Sequence, residues 1–165
     1  MANTNDPNGF TPAYHMSGGT IRPSEFAIAS GTTGAIFSGD VVNLASGLVI
    51  QGTATGTPLG VFYGVEYQAS DGSVVFSKNW VGSTATLGAA NAKAFVYADP
   101  DIVYEAQGSA TPTQASIGTT NTITTTAGDT STGRSKEAVT ATTSSGIALI
   151  HGFVDRPDNS IGQYA

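Results

Sequence analysis

Helix has almost nowhere to form in this chain. Runs of β-branched and aromatic residues are cut by Gly, Pro, Asn or Asp at intervals of roughly 8–15 residues, and no window sustains a long amphipathic helical period. The clearest run is residues 59–68, LGVFYGVEYQ. By period two it places Val61, Tyr63, Val65 and Tyr67 on one face and Phe62, Gly64 and Glu66 on the other. Asp71-Gly72 then turns the chain into Val74-Val75-Phe76-Ser77, a hairpin signature. Residues 40–44 and 48–51 flank Ala45-Ser46-Gly47 as a second hairpin. Residues 94–97 and 102–105 flank Asp99-Pro100-Asp101, a turn with Pro at a favoured position. Residues 26–30 open the series and 147–154 read as a late core strand. Residues 109–132, rich in Thr and Ser, read equally as a strand with a long loop or as a flexible surface segment. Short helical turns fit only the Ala-rich stretch 89–94 and GRSKEAV at 133–139. Roughly eight short strands without a long helix predict an all-β fold, a single β-sandwich or barrel-like domain over residues 26–165.

Residues 1–25 read differently, as an extended N-terminal arm. Pro7, Pro12 and Pro23 block helix, and Gly18-Gly19 interrupts strand. Such a segment is ordered only where it docks, on its own domain or on a neighbour. Its aromatic residues stand too far apart in sequence to make a core of their own. Phe10, Tyr14 and Phe26, with His15, Ile21 and Arg22, are therefore the candidate partner-binding residues. The aromatic residues around the 59–77 hairpin remain open between two roles. Phe62, Tyr63 and Phe76 fit a domain core at least as well as an interface.

Charge narrows the function. Lys and Arg number 6 against 12 Asp and Glu, a net charge of −6, and charged residues make up only 11% of the chain. An acidic chain without a basic cluster is a poor partner for nucleic acid. No apolar run approaches a membrane-spanning length, and MANTNDPNGF lacks the basic and apolar regions of a secretory signal. Cysteine is absent, which removes disulfides, thiolate nucleophiles and Cys-ligated zinc. The 21 glycines include no G-x-G pair, no phosphate-binding loop and no G-x-S-x-G elbow. His15 and His151 have no metal-ligand partner at sequence spacing, so no metal, cofactor or catalytic residue is expected. Asp99 and Asp101, like Asp155 and Asp158, suit turns, while Glu66 and Glu105 would serve a hydrolase only if the fold brought them face to face. Scarce charge also leaves few residues to blunt strand edges, which favours a subunit covered by partners.

Several segments, in order, resemble capsid decoration (cement) proteins of tailed double-stranded DNA bacteriophages. They are GFTPAYHMSGGTIRPSEFAIASG, IFSGDVVNLASGLVIQ, the LGVFYGVEY and GSVVFSKNW hairpin, DPDIVYEAQ, TTGRSKEAV and VDRPDNSIGQYA. The resemblance implies a structural virion protein on the outer capsid surface that bridges capsomers and stabilises the mature shell. Its implied partners are the major capsid protein and copies of itself, arranged as a trimer. The competing class is a carbohydrate-binding or adhesion module that reads a host-surface glycan, with Trp80 and Tyr97 as stacking residues.

Overall fold

The structure, a computed structural model, describes residues 3–28, 34–69, 71–82, 92–140, 146–157, 159–162 and 164–165. The fold is all-β. Its strands are β1 (Thr11–His15), β2 (Ser24–Ala27), β3 (Ile36–Phe37), β4 (Val41–Ala45), β5 (Leu48–Gln51), β6 (Gly60–Gln68) and β7 (Val74–Ser77). They continue with β8 (Asn79–Trp80), β9 (Lys93–Tyr97), β10 (Ile102–Glu105), β11 (Thr120–Asn121), β12 (Ile123–Thr124), β13 (Ala138–Val139) and β14 (Ala148–Leu149). The larger number of strands than the sequence predicts reflects pieces of two residues each, too short to carry a period.

The main sheet is antiparallel in the order β2-β9-β6-β4-β5, with β7 added to β6. A parallel bridge between Ile28 and Val49 joins its two ends, so the sheet curls into a small barrel. Val42, Val49, Phe62, Val65 and Val96 fill the interior, and the β3–β8 pair plugs it with Ile36 and Trp80. Trp80 is completely buried, and Tyr67 meets it edge-on at 5.8 Å. Each such side chain contributes about 1.5–3 kcal/mol by leaving water.

Both predicted hairpins form. In the β4–β5 hairpin Ala45 pairs with Leu48, and Ser46 and Gly47 both have positive φ (52° and 79°). Two left-handed residues in a two-residue loop match the right-handed twist of the flanking strands. In the β6–β7 hairpin Asp71 Oδ1 accepts the Ser73 N–H at 2.9 Å and closes the turn. The strict alternation read along β6 does not hold. Phe62 pairs with Val96 and Gly64 with Phe95, which leaves Tyr63 as an extra, bulged residue. The bulge resets the faces, so that Val61, Phe62 and Val65 are buried while Tyr63 stands 52% exposed.

A second layer covers one side of the barrel. It consists of three antiparallel pairs, β1–β10, β11–β14 and β12–β13. Beneath it lies a separate apolar cluster of Phe10, Val41, Val61 and Ile123, edged by Tyr104 and Val139. The Asp99-Pro100-Asp101 turn carries the chain from β9 in the barrel to β10 in this layer.

Two local expectations fail in the second layer, and a third, left open between strand and flexible segment, takes its strand form. Residues 133–139 form no helical turn, because their N–H groups are taken elsewhere: Ser135 donates to Ser38 O and Glu137 to Ser135 Oγ. The late strand shrinks to Ala148–Leu149, and Leu149 and Val154 are exposed. Residues 109–132 hold a 3-10 turn (Gln114–Ser116) and the strands β11 and β12, with Ile123 buried. Of the Ala-rich stretch, residues 89–91 lie outside the described residues, and 93–94 begin β9.

Candidate interaction surface

The first 25 residues are woven into the fold. β1 pairs along β10 with a register shift between Pro12 and Tyr14, and Met16 N–H donates to Asp101 O at 2.8 Å. Upstream, Phe10 N–H donates to Gly39 O, and Gly9 packs so closely on Ser135 and the Gly39 carbonyl that a Cβ there would collide with both. Gly9 also has φ +71°, so side chains are excluded twice over. A domain boundary between residues 25 and 26 would fall inside β2.

Each candidate contact residue now has a place. Phe10 is 8% exposed in the second-layer cluster, and Phe26 faces inward opposite Ala94 against the barrel core. Both are core residues here, not free anchors, because arm and body share one interior. Ile21 is half-buried and Arg22 exposed. Tyr14 (55% exposed) and the neighbouring Met16 (59%) stand out from the β1–β10 ribbon. They border an open groove of about 1550 Å³ that runs past Leu59, Tyr97 and Val103 to Phe153.

His15 anchors the tip of the ribbon. Its Nε2 lies 3.0 Å from Asp99 Oδ2, and its Nδ1 accepts the Ser17 N–H at 3.3 Å. Asp101 completes a group whose ligand atoms lie within 4.8 Å of one another, a constellation that spacing in sequence did not reveal. Ser17 Oγ also lies 3.0 Å from Nδ1, so Ser17 and Asp99 hold the ring at both nitrogens. The cluster acts as a hydrogen-bonded staple between ribbon and turn. The Asp101 N–H and His15 together hold the Asp99 carboxyl below its usual range.

The glycan-reading residues fare unequally. Trp80 is fully buried and cannot stack on a sugar. Tyr97 is half-buried, tilted against Tyr63 at 5.4 Å, and its carbonyl accepts the Tyr104 hydroxyl at 2.9 Å. Glu105 forms an ion pair with Arg156 at 2.7 Å, while Glu66 lies opposite Lys93 on β9.

The carboxylates that the fold does bring together are Asp40 and Glu137. Both are completely buried. Asp40 Oδ2 accepts the Phe37 N–H at 2.8 Å, and Glu137 Oε2 accepts the Val41 N–H at 2.9 Å. The remaining oxygens, Asp40 Oδ1 and Glu137 Oε1, have no partner among the described residues. Burial pushes Asp40 up to about 6 against the opposing hydrogen bonds from Ser135 and Phe37. Burial, reinforced by the charge of Asp40, pushes Glu137 up to about 8. With no exposed surface the pair reaches no substrate. It clasps the 133–139 segment to the start of β4. Ninety-six residues separate Val41 from Glu137, so no sequence spacing could have shown the contact.

The chain matches no protein-family model, and neither curated proteins nor solved structures yield a match.

Proposed function

We propose that this is a structural virion protein that binds the outer surface of a tailed-phage capsid, contacts the major capsid protein and stabilises the mature shell. The observation that carries the reading is Tyr14 and Met16, large apolar side chains held in water on a ribbon fixed by β10 and the His15–Asp99 staple. A monomer gains nothing from such exposure, whereas an interface gains two preorganised anchors. The net charge of −6 suits an outer face better than a DNA-lined interior. A ligand that binds only the expanded lattice shifts the shell's equilibrium towards it by mass action, with no catalytic group involved. The glycan reading loses its main residue with the burial of Trp80.

The test uses expanded shells of the encoding virus assembled without this protein. Wild-type protein is expected to decorate them and raise their resistance to heat. Tyr14→Ser with Met16→Ser is expected to bind about 30-fold more weakly, as loss of an interface anchor worth about 2 kcal/mol requires. Both positions are exposed, so the variant keeps its fold. Undiminished binding by the double variant, or no binding by wild type, would overturn the proposal.

A further inference from the structure

The second unusual surface lies away from the ribbon, at the tip of the main sheet. β7 pairs with β6 and with no other strand among the described residues. Its sequence, Val-Val-Phe-Ser, carries no charge, proline or bulge, the usual devices that keep an edge from pairing. Val74 is 60% exposed and Phe76 70%. They share one face of the sheet, opposite Gln68 and Glu66 of β6.

We propose that β7 pairs antiparallel with β7 of a second copy of this chain, extending the sheet across a two-fold axis. The geometry of strands selects the register. A two-fold that relates neighbouring antiparallel strands stands normal to the sheet, so residues of one face must meet residues of the same face. Centred on Val75, this places Val74 of each copy opposite Phe76 of the other. The two most exposed apolar side chains of the hairpin then cover each other twice, as cross-strand pairs. Just beyond the paired strands, the same two-fold brings the Asp71-Gly72 turn of each copy towards Lys78 of the other. Opposite charges thus flank the apolar centre at both ends, and the edge is self-complementary. Any three-fold arrangement of the chain would need a different contact, because edge pairing of this kind closes on two copies. The inference is independent of capsid binding and concerns a different face from Tyr14 and Met16.

Sedimentation equilibrium of the full chain tests it. Wild type is expected to dimerise, and Phe76→Lys to raise the dimer dissociation constant by at least about tenfold. Val74→Lys is expected to act in the same direction, so that the test survives if one variant folds poorly. Circular dichroism and Tm of the monomers are expected to stay put, since both side chains face water in the single chain. Lys78→Glu is expected to weaken the dimer more at low than at high salt. A wild-type chain that stays monomeric overturns the proposal and leaves β7 to another protein's strand. A dimer or trimer indifferent to both lysine substitutions overturns it equally.

Discussion

The barrel and the layer that covers it obey different rules. Inside the barrel the buried side chains are mainly apolar, with Asn43 of β4 and Asn79 of β8 as polar exceptions, and the strands reach nine residues, so backbone ladders and packing share the load. In the second layer four of the six strands are only two residues long. The buried groups there include Ser116, Asn121, Ser135 and Glu137. Side chains take over the work of missing ladder bonds. Thr124 Oγ1 accepts the Ala138 N–H at 2.9 Å, Thr140 Oγ1 donates to Thr122 O at 2.8 Å, and Glu137 holds Val41. Where ladders are long, apolar volume decides stability; where they are short, each buried polar group has to find a partner.

Truncation in the two cores is the strongest way to break this contrast. Trp80→Ala empties the middle of the barrel and is expected to cost about 3–5 kcal/mol in urea unfolding, because a closed barrel cannot collapse around the void. Ile123→Ala in the second layer is expected to cost about 2 kcal/mol, the low end for such changes, because the short strands around it can move inwards. Equal losses would show that the two regions pack alike.

The next test sets pH against the clasp. Glu137 and Asp40 both have folded-state pKa values raised above their unfolded ones, so the folded protein binds more protons between them. Their favourable contribution is fully present below about pH 4 and is lost as pH rises, through about 6 for Asp40 and about 8 for Glu137. Wild-type stability is therefore expected to fall from pH 5 to pH 8, roughly opposite to the usual behaviour of paired carboxylates. Glu137→Gln keeps an oxygen for the Val41 N–H and carries no charge, so its unfolding midpoint is expected to vary far less over that range. A variant whose pH profile parallels wild type would remove the clasp from the account and leave the second layer held by packing alone.

The same contrast explains what the sequence could reveal. Both barrel hairpins are legible because Ser46-Gly47 and Asp71-Gly72 are local instructions, complete within four residues. Tyr63 is where that legibility stops. Period two cannot foresee a bulge, since the extra residue is selected by the register of β9 across the sheet. Phe10 looks solitary in sequence because its neighbours Val41, Val61 and Ile123 come from three distant segments. His15 finds Asp99 and Glu137 finds Val41 in the same non-local way. Tyr14 stands out in sequence as a large apolar residue in a polar stretch, but only the pairing of β1 with β10 separates it, with its neighbour Met16, from Phe10. Phe76 carried no signal of exposure, for its place on an edge depends on which strands fail to join β7.

If local rules govern the barrel, a purely local change there should also improve it, and the effect should be the smallest of the set. Ser46 holds φ 52°, a conformation that Asn tolerates better than Ser. Ser46→Asn creates the Asn-Gly pair favoured by two-residue hairpins of this type. It touches no core residue, since Ser46 is exposed. The expected gain is about 0.5 kcal/mol, read as a higher urea midpoint with an unchanged slope. In the second layer Ser135 and Thr124 are bonded to distant segments, so changing either residue alters two places at once. A gain at Ser46 would mark the hairpin as an independent unit whose loop can be optimised alone. No gain, with the fold intact, would mean that β6 and the Ile28–Val49 closure already fix the hairpin, and that the barrel is as non-local as the layer above it.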